Sequence, residues 1–278
     1  MDSPSIYLVF KRIINMSLKK DDVDDNLRLS SPTIYEIIST EGEEELARPL
    51  PSLGWSGLVA GLCISFSLFC EGYLKHHLPA DGDYFLLENL GYTFGFVIVI
   101  VGRFQLFTEN TITVILPLLE KKTIRNLIRT AKLWGVVLLT NFIGTFIAAL
   151  LVTKMSLVTP ELLHVFTEIS LHAVDQDFWQ IFKTAIPAGF LIACLVWMLP
   201  SARGGTEFWV IVMMTYIIAI GDFAHIVAGS AEAFILLIEG HIDFAKTVSF
   251  LIAAAAGNII GGTCLFAVIA YNQVKNER

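Results

Sequence analysis

Charged residues are scarce in this sequence, at 16% of the chain, and its four cysteines form no CxxC pair. Cys63, Cys70, Cys194 and Cys264 all lie in apolar segments, a pattern typical of small buried hydrophobic residues and not of a disulfide framework or a zinc site.

No HExxH motif or nucleophile–base spacing occurs, so we expect no enzyme activity, metal or cofactor. Basic residues form no aromatic-laced patch, which argues against a nucleic-acid partner. No cleavable signal peptide is expected either, because about fifty mostly polar residues precede the first long apolar stretch.

Hydrophobic residues, in contrast, make up 55% of the chain, and the mean hydropathy is +0.66. These values predict a protein that crosses a lipid bilayer several times. We expect three parts: an N-terminal cytoplasmic extension over 1–50, a transmembrane domain over 51–272 and a cytoplasmic tail over 273–278. The extension starts with a short apolar patch, IYLVFKRIINMSLKK, and continues with a predicted amphipathic helix that Ser30 caps and Pro49 and Pro51 end.

Six apolar elements follow this extension, and they predict an all-α membrane protein with six transmembrane helices. They cover about 52–74, a stretch from Phe85 that is interrupted by RFQLFTEN and resumes as TITVILPLL, then about 132–153, 179–199, 208–238 and 247–271. Pro187 is expected to kink the fourth element. The acidic stretch 159–177 is expected to be a loop.

Lysine and arginine counts in the short loops predict the orientation of these helices. Basic residues concentrate in the loop between elements two and three, between four and five, and in the C-terminal tail, whereas the opposite loops hold few. Six crossings with both termini in the cytoplasm fit this bias.

The second and fifth elements each have a polar break. As one helix, residues 208–238 would be roughly 46 Å long at 1.5 Å per residue, against a hydrocarbon core of about 30 Å. The break holds Asp222 and His225 between Gly221 and Gly229. Irregular backbone at membrane depth is tolerated where it is buried in protein or lines a watery cavity, and an ionisable group there indicates function.

The two breaks are related by an internal repeat. Thr108 precedes Asn141 of NFIG by 33 residues, and His225 precedes Asn258 of NIIG by the same 33, so both pairs are 117 residues apart. Each copy holds three spans, an odd number, so the second copy must insert upside down. Inverted three-helix repeats with broken helices predict a solute-binding site between the breaks, near the bilayer midplane.

Four motifs, in this order and at this separation, resemble the formate/nitrite transporter family: LFTENT at 106–111, CLVWM at 194–198, FAHIVAGS at 223–230 and GNIIGG at 257–262. The stretch FLLENLGYTFGFVIVI is similar to a bacterial inner-membrane branch of that family. The resemblance covers about residues 45–272. It implies an aquaporin-like six-helix protomer that assembles as a homopentamer in the bacterial inner membrane and carries small monovalent anions such as formate, nitrite or hydrosulfide.

The resemblance also implies roles for individual residues. His225 would be the central pore histidine, Thr108 a hydroxyl facing the pore, and Leu106 and Phe107 an apolar constriction. Histidine titrates near pH 6.5 when unperturbed, so His225 is a candidate to hydrogen-bond the anion or to share a proton with it. The alternatives are a buried imidazole bonded to loop carbonyls, and ordinary core packing for Phe107.

Four further residues are expected to support the pore. Asn141 and Asn258 would tie the breaks to neighbouring helices by hydrogen bonds. Glu109 would cap the helix that starts at Asn110, and Asp222 would either cap the second half-helix or face the solute.

Several positions depart from the family pattern. Gln105 and Ala224 stand where acidic residues are usual, Gly229 stands where an asparagine is usual, and Ala173 lies nearest to an expected basic residue. Two other functions therefore remain open: a channel for neutral solutes or water, and a membrane sensor or anchor that binds a partner through its N-terminal extension.

Overall fold

The computed structural model describes residues 28–79 and 82–277. The apolar patch IYLVFKRIINMSLKK lies outside these residues. Within the described ranges every regular element is a helix.

The helices are numbered here in chain order. They are α1 Ser31–Ala47, α2 Leu50–Ile64, α3 Phe66–His77, α4 Phe85–Glu88, α5 Thr93–Val101, α6 Asn110–Thr113, α7 Ile115–Glu120, α8 Ile124–Lys154, α9 Pro160–Val174, α10 Phe178–Met198, α11 Thr206–Ile220, α12 Ile226–Glu239, α13 Phe244–Ile259 and α14 Val268–Glu277. A 3₁₀ turn, Leu199–Ser201, extends α10, and a π-helical segment, Ile260–Ala267, joins α13 to α14.

Four of the predicted elements are long helices. Among the described residues, four helical stretches are long and apolar enough to cross a membrane: Leu50–His77, Ile124–Lys154, Phe178–Ser201 and Phe244–Glu277. The second and fifth elements are instead split into shorter helices, α4 to α7 and α11 to α12, at the predicted breaks. The division into long and broken elements therefore matches the hydropathy pattern.

The acidic stretch 159–177 is a helix and not the expected loop. α9 begins after Thr159, whose hydroxyl accepts the Leu162 N–H at 3.3 Å, and Pro160 occupies the first turn. A threonine cap followed by proline is a strong helix-start signal, because proline needs no N–H partner at that position. The prediction of a loop over 159–177 was therefore wrong.

The predicted N-terminal helix is present as α1, capped by Ser30 and ended at Ala47. Its apolar face is buried against the membrane helices: Tyr35 and Ile38 are inaccessible to solvent, and the Tyr35 hydroxyl donates to the Leu116 carbonyl at 3.2 Å. A Cβ at Gly42 would overlap the Thr113 carbonyl. α1 thus lies against α6 and α7, directly beside the first break.

The same helix contact occurs twice in the molecule. α2 packs along α8, and α10 packs along α13. Gly61 of α2 leaves no room for a side chain against the Asn141 backbone, and Gly189 of α10 is equally close to the Asn258 backbone. Contacts between α5 and α11, and between α8 and α12, join the two halves. Because Gly61 and Gly189 carry no side chain, the two helices of each pair approach closely. Asn141 is thereby packed within the first half of the chain and Asn258 within the second.

Candidate functional site

The two breaks begin with the same backbone conformation. Arg103 and Asp222 both adopt positive φ, +53° and +50°, immediately after a glycine and before a phenylalanine. The N–H of that phenylalanine reaches back to the preceding helix, from Phe104 to Val99 and from Phe223 to Ile218, both at 3.0 Å. Positive φ is uncommon for residues with a side chain, so its recurrence marks a structural equivalence.

One buried asparagine holds each break. Asn141 accepts the Phe107 N–H at 3.0 Å and donates to the carbonyls of Gln105 and Gly57 at 2.9 and 2.8 Å.

Asn258 repeats this pattern in the second break. It accepts the Ile226 N–H at 2.9 Å and donates to the Ala224 and Ala185 carbonyls at 3.0 and 2.8 Å. These are the hydrogen bonds to loops and neighbouring helices that the sequence predicts for Asn141 and Asn258. Each asparagine satisfies backbone groups that the broken helix leaves unpaired.

These hydrogen bonds correct the register of the repeat within the breaks. Asn141 lies 36 residues after Gln105, whose carbonyl accepts its hydrogen bond. Asn258 lies only 34 residues after Ala224, whose carbonyl has the same role in the second break. The asparagines are 117 residues apart, but equivalent break residues are 119 apart, so the counterpart of His225 is Leu106 and not Thr108. The second copy is two residues shorter between break and asparagine, which a search for one constant offset does not detect.

Thr108 and His225 nevertheless meet. The Thr108 hydroxyl lies 2.8 Å from His225 Nε2, and both residues are buried. The imidazole also packs edge-on against the Phe96 ring, with centroids 4.9 Å apart. The contact therefore joins the two breaks directly, at the position where the sequence predicts a solute site.

Hydrogen bonding assigns the tautomer of His225. The Ala228 N–H donates to Nδ1 at 3.2 Å, so Nδ1 carries no proton and serves as the cap of α12. In the neutral ring the proton is then on Nε2, which donates to Thr108 Oγ1. The Thr108 hydroxyl keeps its own hydrogen to offer to a third group. His225 thus differs from the alternative of a histidine bonded to loop carbonyls.

The two apolar residues of the predicted constriction have different surroundings. Leu106 lines a cavity on one side of the Thr108–His225 contact. Phe107 is 1% exposed, and its ring packs against the Trp134 indole at 5.5 Å between centroids. It lines neither of the two cavities described below, which fits the packing alternative for Phe107.

Neither predicted acidic cap forms a side-chain cap. Glu109 stands at the cap position of α6, but its carboxylate makes no cap hydrogen bond and lines a cavity instead. Asp222 does not cap α12, because His225 does; its carboxylate lies 3.1 Å from His172 Nε2. His225 directly precedes α12, so its ring, and not the Asp222 carboxylate, accepts the Ala228 N–H.

A cavity of about 300 Å³ lies on the Leu106 side of the contact. α1, both halves of the first broken element, the end of α10 and α11 contribute to its wall. Its carboxylates are Glu41, Glu45, Glu109 and Glu207, and Arg103 lies 3.4 Å from Glu41. Acidic side chains therefore outnumber basic ones in the wall of this cavity.

A second cavity, of about 70 Å³, lies on the His225 side. Phe223, Asp222, Glu71 and Glu232 line it together with His225. Neither Glu71 nor Glu232 is among the residues predicted from the sequence, although an acidic side chain within an apolar span was a signal that could have identified them. Both cavities are thus lined by acidic side chains. We call them the Leu106-side and His225-side mouths, and the Thr108–His225 contact lies between them.

Comparison with known sequences gives a consistent result. The sequence model of the family described as formate/nitrite transporter matches residues 32–272. The inner membrane protein YfdC of Escherichia coli (strain K12) is 42% identical over 261 residues, which cover 93% of this chain and 84% of the relative. The formate channel FocA of Haemophilus influenzae is 24% identical over 277 residues, covering 88% and 96%.

Solved structures show the same fold. A chain described as an FNT family ion channel superposes with a TM-score of 0.76 at 15% sequence identity, over 86% of this chain and 98% of that one. A pentameric formate channel with formate bound superposes with a TM-score of 0.67 at 20% identity, over 82% and 98%.

Proposed function

Since the chain belongs to the formate/nitrite transporter family, we propose that it moves small monovalent anions of the formate and nitrite type across the bacterial inner membrane. The observation that carries this proposal is the 2.8 Å contact between Thr108 and His225, which joins two helix breaks and separates two cavities. The solute passes from one cavity to the other at this contact.

The centre of this passage offers hydrogen-bond donors. His225 Nε2–H and the Thr108 hydroxyl face each other, and the N-terminus of α12 starts beside them. A helix N-terminus favours negative charge, and N–H and O–H groups suit the oxygens of a carboxylate or of nitrite. A solute that displaces the Thr108–His225 hydrogen bond receives both donors. Leu106 supplies the apolar side of the constriction.

The acidic mouths bear on the form in which the solute enters. A bare anion is repelled by the carboxylates of either cavity and is costly to desolvate, whereas the neutral acid meets neither cost. We therefore propose that the solute passes the constriction with its proton attached. Because Nδ1 of His225 accepts from Ala228, the neutral ring acts as a hydrogen-bond donor, and the proton of the solute comes from water.

We propose the wider architecture on the same basis. The two halves are inverted repeats, residues 51–272 form the transport domain with α1 docked at its cytoplasmic side, and both termini are cytoplasmic, as the basic loops predict. A homopentamer is proposed from the similarity to a pentameric formate channel. Large apolar side chains exposed on the protomer, such as Trp55, Leu139 and Ile252, are then covered by lipid or by neighbouring subunits.

A flux panel tests the proposal. Proteoliposomes containing the full chain are given formate, nitrite, acetate, lactate and hydrosulfide at two pH values, with empty liposomes as the control. We expect saturable uptake of at least one of the smaller solutes, faster at the lower pH because more of the acid is neutral. Uptake equal to that of empty liposomes for every solute would contradict the transport function.

The acidic mouths also favour a second candidate, a channel for neutral solutes. Glycerol, unlike formate, needs no proton to pass carboxylates. Osmotic swelling of the same proteoliposomes in glycerol and in formate separates the two functions. Swelling in glycerol without formate uptake would favour the neutral-solute channel.

A further inference from the structure

Two buried carboxylates in the His225-side cavity have no partner within the part of the chain that the structure describes. Glu71 of α3 is 8% exposed and Glu232 of α12 is 5% exposed, and both line this cavity. Neither forms a hydrogen bond or an ion pair with a described residue. A buried carboxylate without a compensating group is unfavourable, so the pair indicates a ligand that supplies positive charge or donors.

Lys75 is a neighbouring cation whose charge favours ionised Glu71, but it forms no ion pair with that carboxylate among the described residues. Lys75, one turn along α3 from Glu71, has its ammonium 3.9 Å from Glu168. His172 of α9 pairs with Asp222, and both ring nitrogens of His225 are engaged. Glu88 of α4 and Asp222 add negative charge near Glu71, and the Tyr92 side chain lies in the same wall.

A third acceptor lies in the same wall and is not acidic. Asn89 is 5% exposed and follows α4, so it comes from a different element than the two glutamates. Its Nδ2 donates to the Phe85 carbonyl at 2.8 Å, which orients the amide and leaves Oδ1 without a donor among the described residues. Asn89 is thus buried at this cavity.

We propose that this cavity binds a small cation that carries N–H donors, either ammonium or a short protonated primary amine. Its acceptors, Glu71, Glu232 and Asn89, come from three elements and suit the several N–H bonds of such a cation. The volume of about 70 Å³ corresponds to roughly two waters at about 30 Å³ each, enough for ammonium or methylammonium. In the described residues no group of three His, Cys, Asp or Glu side chains converges on a metal position, which disfavours a divalent ion.

The bound cation offsets the acidic charge beside His225, so this mouth becomes electrically closer to neutral when it is occupied. This site does not depend on the proposed transport of formate or nitrite, because binding is measurable without flux. Transport and cation binding can therefore fail separately.

Binding of [¹⁴C]methylammonium to the full-length protein in detergent tests the proposal. Ionic strength is held constant with N-methylglucamine chloride. We expect saturable binding that ammonium chloride displaces and that Glu71→Gln and Glu232→Gln each weaken at least tenfold. Glu161→Gln, which changes an exposed carboxylate of α9 that lines neither cavity, serves as the matched control and should bind like the wild type.

The thermal midpoint gives a second readout, since a ligand that binds the folded state raises it. Ammonium should raise the midpoint of the wild type and of Glu161→Gln and leave that of the Glu71→Gln/Glu232→Gln double variant unchanged. Absence of saturable methylammonium binding, or equal binding by the double variant, would overturn the site. Equal displacement by potassium would overturn the assignment to an N–H donor.

Discussion

Leu106 and His225 occupy the same place in two copies of one backbone arrangement, yet one side chain is a hydrocarbon and the other an imidazole. Each residue lies between two backbone groups that a single asparagine holds, Asn141 in the first break and Asn258 in the second. The scaffold is therefore duplicated, whereas the chemistry is present in one copy. The asparagines hold the two breaks in the same way, and our proposal is that His225, with Thr108, determines what the passage accepts.

The largest effect is expected where the two breaks are alike. Asn141→Leu and Asn258→Leu each leave one N–H and two carbonyls without their side-chain partner, and each unsatisfied buried group costs about 1–3 kcal/mol. We expect either change to lower the free energy of unfolding by more than about 3 kcal/mol, measured by thermal unfolding in detergent. Asn272→Leu, at an exposed site, is the control. If one of the buried asparagines tolerates leucine, the two breaks are not held alike.

The next effect is expected where the breaks differ. His225→Phe keeps a planar ring but removes the Nε2–H donor and the cap of α12. A neutral hydrogen bond contributes about 0.5–1.5 kcal/mol and a helix cap about 0.5–2 kcal/mol, so we expect formate uptake to fall by about 10- to 100-fold. Proteoliposome flux is the measurement. His241→Phe, at an exposed position, should leave the flux unchanged. Formate uptake by His225→Phe at the wild-type rate would mean that His225, like Leu106, gives the solute no hydrogen bond.

Tight helix contact in each half should give matched effects of intermediate size. Gly61→Ala forces a methyl group into the Asn141 backbone, and Gly189→Ala does the same at Asn258. We expect each to destabilise the protein by about 1–3 kcal/mol, since overpacking against backbone cannot relax easily. Gly135→Ala, with open space around it, should instead be neutral or stabilising by up to roughly 1 kcal/mol through helix propensity. Midpoints of thermal unfolding compare the three variants, and a strong effect of one helix glycine alone would break the symmetry.

The smallest effect is expected at Thr108, the contact that crosses between the breaks. Thr108→Val preserves the shape but removes the hydroxyl, and a neutral hydrogen bond contributes about 0.5–1.5 kcal/mol, so formate flux should fall by roughly 2- to 10-fold. Thr108→Ser, which keeps the hydroxyl, should retain most of the flux. A valine variant as active as the serine variant would assign the solute contact to His225 alone.

Much of this arrangement is predictable from the sequence because hydropathy and the positions of glycine residues are local signals. The four long helices, the two breaks, the capped helix α1 and the anchoring asparagines all follow from such signals. The sequence also suggests that Thr108 and His225 lie together. It does so from a repeat offset of 117 residues, whereas equivalent residues of the two breaks are 119 apart.

What the sequence did not reveal depends on three-dimensional proximity. Asp222 pairs with His172 of α9, in a stretch that was expected to be a loop, and His225 itself caps α12. Glu71 and Glu232 are far apart in the chain and meet at one cavity only when α3 and α12 pack together. Spacing along one element carries no information about such contacts.

Chemical blocking at Leu106 tests most directly whether the solute passes between the two breaks. Leu106→Cys in a background without the four native cysteines is treated with a small methanethiosulfonate reagent, and formate uptake into proteoliposomes is measured before and after. Leu157→Cys, at a surface-exposed position in the loop between α8 and α9 that lines neither cavity, is treated in parallel. We predict that modification abolishes uptake for Leu106→Cys and leaves it unchanged for Leu157→Cys. Undiminished uptake by fully modified Leu106→Cys would contradict a passage between the breaks.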